Sequence, residues 1–437
     1  MGKLNISIQN FRTIERASID VESVTVLTGV NASGKSTISR TMFYCGYYSN
    51  RYEELLQSTL SGPLVPAVQF IVSTSVVADD ANLYRRMVLP PGQEYDERLL
   101  LEALARCRDI YDASPVSVLD RERLGKMLGR QVRSRKAFFG GLDEMEGSIK
   151  AAFAQYQTLA QRRLGSFLSN ELCRQFRMPR TNLLDRITIR EDGSVVVGGG
   201  RESVGLFTAL DRVLYVDTPM LLSVFSDLNE SEVEPLHWRE ILSAFAYDRA
   251  DLASQSGAHV QGLMAEVSNL IGGAVKSIED PAKISSLGRV VFEDSAGVRI
   301  LLPEVATGMK SFIILQRLLQ KGLLGGRTLL IVDEPEAHLH PQWVVEYARL
   351  LLEIHHALGT RFLVASHSPE FVESLANIAT QYPGSPAPTF YLATPSKERA
   401  YMYSYEDTHG DIEPIFEVFN RSYDSMSRYI EKGYGGK

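Results

Sequence analysis

Gly29-Val30-Asn31-Ala32-Ser33-Gly34-Lys35-Ser36-Thr37 is the stretch on which the reading of this chain turns. It fits G-x-x-x-x-G-K-[ST], and its flanks suit that pattern. The apolar run Val24-Thr-Val-Leu-Thr28 stops at Gly29, and helical spacing begins at Lys35 and continues through Ile38 and Met42. A loop between a strand and a helix is where a phosphate cradle is built. The glycines let the backbone wrap phosphate oxygens closely. The amides of residues 32–36, with the helix N-terminus behind them, supply aligned donors. Lys35 is placed to reach β- and γ-phosphates, and the Ser36 hydroxyl to ligate Mg2+. A Gly-rich turn of chance origin is the alternative, and it would need pattern and context to coincide.

Working outward, Leu329-Leu-Ile-Val-Asp333-Glu334-Pro335-Glu336 places four apolar residues before two carboxylates. A buried strand that ends in acids presents them at the ligand-binding edge of a sheet. Asp333 would orient Mg2+ there, directly or through water, and Glu334 would polarise the attacking water; a solvated acidic turn is the simpler alternative. Glu304-Val-Ala-Thr307-Gly308-Met309-Lys310-Ser311 precedes a helix expected from Phe312 to Leu323. Thr307 and Gly308 thus put amides and a hydroxyl at a helix N-terminus, a ready anion site. Phe362-Leu-Val-Ala-Ser366-His367-Ser368-Pro369 sets His367 just past another strand, 33 residues after Glu334. Ser368 and Pro369 read as N-cap and first helical residue. Taken alone, His367 also reads as a capped loop histidine.

The remaining pattern is that of an α/β chain. Leu4, Ile6 and Ile8 alternate with polar residues, as do Ala17, Ile19 and Val21, which predicts a strand pair and not a signal-peptide core. Residues 99–105 and 149–156 have helical spacing, 187–197 form a hairpin turning at Asp192-Gly193, and 213–216 form a strand. Residues 237–278 read as helical and 290–302 as a second hairpin. Strands at 329–332 and 362–365 alternate with helices at 309–323, 341–357 and from Pro369, which implies a parallel βαβ sheet.

Composition narrows the class. The chain has 437 residues, with 46 Lys plus Arg against 53 Asp plus Glu, a net charge of −7 that excludes a simple cationic nucleic-acid binder. Residues 121–136 nonetheless carry seven cations against Glu122, a local +6 that reads either as a solvated helical face or as a DNA site. Cys45, Cys107 and Cys173 are too few and too scattered for a disulfide framework and fit a cytoplasmic protein. No apolar run approaches the roughly 20 residues that span a bilayer, so no membrane is expected.

Phosphate loop, Thr-Gly segment, D-E strand end and histidine, in that order, resemble ABC-type ATPase heads. Within them the chain looks most like the RecF and SMC group and the OLD-family ATPases of bacteria. Asn10-Phe11-Arg12 is similar to the N-F-R opening of that group, and Glu334-Pro335-Glu336-Ala-His338-Leu339-His340-Pro341 to its E-P-E-x-H-L-H-P segment. The resemblance covers roughly residues 1–75 and 285–395. It implies a split head, with an N-terminal lobe at 1–75, a helical insertion at 76–180, a mixed α/β insertion at 181–284 and a C-terminal lobe at 285–437. It further implies ATP and Mg2+ as ligands and a homodimer or higher oligomer that sandwiches ATP. Thr307 and Gly308 would then meet the γ-phosphate held by the partner's Lys35 and Ser36, Glu334 would position water, His367 would sense the γ-phosphate, and Arg12 would lie beside the nucleotide.

Several features depart from the family pattern. The signature is A-T-G-M-K, and Gln69 is the only candidate for a Gln loop. The insertion lacks a long coiled coil, and the 70 residues after His367 do not accommodate a Toprim nuclease. Glu406, Asp407, Asp411 and Glu413 read there as a solvated tail or a partner contact in preference to a nuclease site. His338 and His340 read as an interface loop in preference to a zinc cluster with His367. Together these point to an ATP-gated switch controlling a separate effector, a nuclease or toxin, in bacterial anti-phage defence. The alternative is a RecF-like repair ATPase that binds DNA through 121–136; the 298 residues between Lys35 and Asp333 argue against a transporter subunit.

Overall fold

In β1 (Leu4–Phe11) the side chains of Leu4, Ile6 and Ile8 are buried and those between them are partly open. This half-buried alternation is the signature of an antiparallel strand. β1 pairs with β2 (Ile14–Val21) and, across 187 residues, with β4 (Ile187–Glu191), so that Leu4 faces both Val21 and Glu191. β3 (Val24–Thr28), β10 (Thr328–Asp333) and β11 (Arg361–Ala365) are instead buried at every residue. Strands covered on both faces need apolar runs, and these supply them.

A computed structural model describes residues 2–52, 60, 64–71, 96–160, 164–199, 204–224, 235–246, 257–277 and 290–420. The remaining strands are β5 (Ser194–Val197), β6 (Arg212–Val216), β7 (Gly273–Ser277), β8 (Val290–Asp294), β9 (Arg299–Leu301), β12 (Thr389–Pro395) and β13 (Tyr403–Asp407). Among the described residues the helices include α1 (Lys35–Asn50), α2 (Glu97–Ala113), α3 (Val118–Met127), α4 (Arg135–Ala160), α5 (Leu164–Gln175), α6 (Leu236–Ala246), α7 (Ala258–Ile271), α8 (Thr307–Gln320), α9 (Pro341–Leu358) and α10 (Pro369–Ala379). Ten strands form one sheet in the order β5-β4-β1-β2-β13-β12-β3-β11-β10-β6, and β7-β8-β9 form a second. β12, β3, β11, β10 and β6 run parallel to one another; β1 with β2 and β4, β4 with β5 and β12 with β13 are antiparallel. The fold is therefore α/β, with a mixed sheet whose parallel half carries the phosphate loop.

Two compact units divide the chain, Met1–Asn50 with Leu168–Lys437, and Arg51–Phe167. This differs from the expected partition at 75, 180 and 284. β4, β5 and β6 lie in the expected mixed insertion yet join the main sheet, because β4 completes the edge left by β1 and β6 completes the parallel half beside β10. The unit made by 51–167 has its own core, in which Phe138, Leu124, Cys107 and Ile149 are fully buried. Two further expectations are corrected. The helical run read over 237–278 ends at Ile271, where Gly272 takes φ +68° as a left-handed cap, and 273–277 pairs as a strand with β8. Glu406 and Asp407 are solvent-exposed but belong to β13, opposite Leu392 and Tyr391, and not to an unstructured tail.

Candidate functional site

The site lies at the carboxyl edge of three adjacent strands. β3 ends at Thr28, β10 at Asp333 and β11 at Ala365; Leu27 is level with Ala365, and Ala365 with Asp333. Side chains just beyond these ends share one crevice.

The loop after β3 needs its glycines. Gly29 has φ +137°, and a Cβ there would fall 2.7 Å from the Ala393 Cβ of β12. Gly34 has φ +104°, and a Cβ would fall 2.8 Å from Ile14 Cγ1 and 3.0 Å from Thr13 Oγ1. The β1–β2 turn thus braces the loop. Ala32 takes φ +64°, a left-handed conformation held at a non-glycine residue. Asn31, Ala32 and Ser36 are exposed, whereas Ser33 and Thr37 are buried. α1 opens at Lys35, with the Thr37 and Ile38 amides donating to the Gly34 carbonyl at 3.0 and 3.1 Å, so the positive end of the helix dipole faces the loop. Lys35 Nζ donates to the carbonyls of Gly29 at 2.9 Å and Val30 at 3.1 Å. Burial lowers the pKa of its ammonium, opposed by the charges of Glu334, Glu336 and Asp333.

Asp333 is 5% exposed and lies against α1. Ser39 Oγ donates to Oδ1 at 2.6 Å and Tyr215 OH donates to Oδ2 at 2.8 Å, with the Ser36 hydroxyl close enough to favour the ionised carboxylate. Burial raises its pKa, and the three hydroxyls pull in the other direction. A buried carboxylate ringed by hydroxyl oxygens beside a phosphate cradle is the donor set that Mg2+ takes, so the residues present fit that ion.

Glu334 is exposed, with φ +49°, and its amide donates to the Ala365 carbonyl at 2.7 Å. His367 Nδ1 is 3.7 Å from Glu334 Oε1 and 3.3 Å from Glu336 Oε1. The same Glu336 oxygen accepts from Ser366 Oγ at 2.9 Å and from the His367 amide at 2.8 Å. Glu336 therefore ties the end of β10 to the end of β11 and fixes His367 beside Glu334. The expected capping of α10 is present, with Ser368 Oγ accepting from the Phe371 amide at 3.1 Å and Pro369 at the first helical position.

α8 opens at Thr307, earlier than the expected Phe312. A Cβ on Gly308 would lie 2.9 Å from the His338 carbonyl, with Leu339 and Trp343 next nearest. Thr307 and Gly308 are thus brought to the 336–343 segment of their own chain. His338 is exposed at φ +65°, and His340 caps α9, its ring accepting from the Gln342 amide at 3.4 Å. No group of three or more His, Cys, Asp or Glu is arranged to hold a metal among the described residues. Arg12 is exposed with φ +54°, its guanidinium 5.4 Å above the Phe176 ring, and it adjoins the Thr13 and Ile14 that touch Gly34. Gln69 is exposed and belongs to the other unit.

Four residues of the site had no role in the sequence reading. Ser39 is one helical turn beyond Lys35, a spacing that puts both on one face of α1. Tyr215 is the penultimate residue of β6, the strand next to β10. Glu336 was legible only as part of a motif. Tyr405 has its hydroxyl 3.5 Å from that of Ser33 and comes from β13, which pattern did not reveal.

Residues 218–373 match a family model described as "AAA domain, putative AbiEii toxin, Type IV TA system". No curated protein matches the chain. Among solved structures it is similar to an Smc head bound to the C-winged helix domain of ScpA, at 12% identity and TM-score 0.38, over 95% of this chain and 98% of that one. It is also similar to the SMC head domain from Thermotoga maritima, at 11% and 0.32, over 93% and 99%. A third is an ATP-binding cassette of an ABC transporter in its ADP conformation, at 10% and 0.35, over 96% and 98%. No helix among the described residues is long and apolar enough to cross a membrane.

Proposed function

We propose that this chain is an ABC-type ATPase that binds and hydrolyses ATP with Mg2+. The observation that carries the reading is the convergence, on adjacent strand ends, of a G-x-x-x-x-G-K-S loop, a buried Asp333 bonded to Ser39 of that loop's own helix, and an exposed Glu334 with His367 held beside it. The loop amides and Lys35 bind the phosphates, Lys35 exchanging its contacts to Gly29 and Val30 for phosphate oxygens. Ser36 and Asp333 hold Mg2+, which when bound neutralises charge on the phosphates. Glu334 orients and deprotonates water, and His367, restrained by Glu336, contacts the terminal phosphate. The match of 218–373 to a model described as an AAA domain supports this assignment.

The finer reading is that ATP closes two heads, Thr307 and Gly308 of one protomer facing nucleotide on the other, and that closure controls a separate effector protein, a nuclease or toxin, in bacterial anti-phage defence. The toxin–antitoxin wording of the matched family favours this over a repair ATPase. Sedimentation of the Glu334→Gln chain tests it. ATP with Mg2+ is expected to convert monomer to dimer, and Gly308→Val to prevent this; a sedimentation coefficient indifferent to ATP removes the sandwich.

A further inference from the structure

In the 51–167 unit, α3 and the turn that follows it line an open concavity of about 680 Å3 that the ATPase reading leaves unused. Arg121, Lys126, Arg130 and Arg133 line it together with Glu122 and Val118. With Arg130 paired to Glu144, Arg121, Lys126 and Arg133 still outnumber Glu122 around a single concavity, and an anion there would relieve their repulsion.

The cavity has a built wall. The amide of Arg130 donates to the Gly125 carbonyl at 3.0 Å. A Cβ on Gly125 would lie 2.6 Å from the Arg130 carbonyl oxygen, so only glycine lets the turn lie this close to the helix. Gly129 makes the reversal with φ +63°. Arg121 Nη1 donates to the Arg133 carbonyl at 2.8 Å, and Val132 anchors the far side in the core of the unit. Arg130 is steadied by Glu144 at 2.7 Å and Arg133 by Gln131 at 2.9 Å. The α3 start is fixed by a capping box between Ser117 and Asp120.

Part of the basic run is already engaged with the protein itself. Arg135, from the same basic run, donates to the carbonyls of Tyr111 and Asp112, both at 2.9 Å. The volume falls in the range of about 300–1,000 Å3 usual for small-ligand pockets. Val118, 61% exposed, gives the wall an apolar surface, and Glu122 offers an acceptor.

We propose that this cavity binds a small phosphorylated ligand of nucleotide or dinucleotide size. Its phosphates engage Arg121, Lys126, Arg130 and Arg133, and its ring rests on Val118. The inference stands independently of the ATPase site. The test uses the full chain carrying Lys35→Ala, which silences the phosphate loop, titrated calorimetrically with the linear dinucleotide pApA. One-to-one binding is expected. Lys126→Glu with Arg133→Glu should weaken it at least about tenfold through loss of charge-assisted bonds. Val118→Trp, which fills space and leaves every charge, should weaken it comparably. Absence of pApA binding, or binding that neither variant changes, overturns the proposal. So does binding confined to a single strand of about 12 nucleotides with affinity falling linearly in log salt, which marks a polyanion-binding face.

Discussion

Asp333 carries a buried charge that the proposed metal role would account for. Its pKa is raised in the folded chain by burial. The native state then binds protons more readily than the unfolded chain, whose carboxylates titrate near about pH 4. Stability is fullest below that value and declines as pH rises through the folded pKa. At neutral pH the charge is a liability of the ligand-free protein that a divalent cation offsets. Asp333→Asn is therefore expected to raise the melting temperature at pH 7 without nucleotide, to lose that advantage near about pH 4, and to abolish Mg2+-dependent turnover. Thermal melts across pH check the sign. Tyr215 tests the same group from its other side. Tyr215→Phe removes the 2.8 Å bond to Oδ2 and should raise the Mg2+ concentration for half-maximal turnover about tenfold, read from a metal titration.

At the scale of elements, the site exists because three strand ends are level, and Glu336 is what makes two of them act together. Glu336→Ala removes the acceptor shared by Ser366 Oγ and the His367 amide. The expected result is a turnover reduced about tenfold or more with nucleotide affinity nearly unchanged, measured as kcat against Kd. Strands and helices around the site were legible in the sequence because each is a continuous apolar run or carries its own cap, as Ser368 and Pro369 do for α10. β12 and β13 were not, because their acids, Glu406 and Asp407, face outward from a hairpin and resemble a solvated tail. β7 was hidden for a different reason: one glycine in a left-handed conformation, Gly272, stops a helix in the middle of an apolar stretch.

At the scale of the molecule, the motifs identified the phosphate crevice but not the division of the chain. The pairing of Leu4 with Glu191 closes a loop of 187 residues, and no local pattern announces it. The segment expected as a second insertion instead supplies β6, whose Tyr215 completes the site at Asp333. The basic run at 121–136, legible in the sequence either as a solvated face or as a DNA site, lines in part an open concavity. The acidic balance of the whole chain, −7, conceals that local reversal.

The central claim is that Glu334 activates water for attack on ATP bound at Lys35. It is tested most directly by ATP turnover of the purified Glu334→Gln chain beside a binding isotherm for ATP. The account predicts turnover lowered by about 10²-fold or more with ATP affinity retained, since the amide keeps the shape and loses the base. Turnover at the original rate would contradict it.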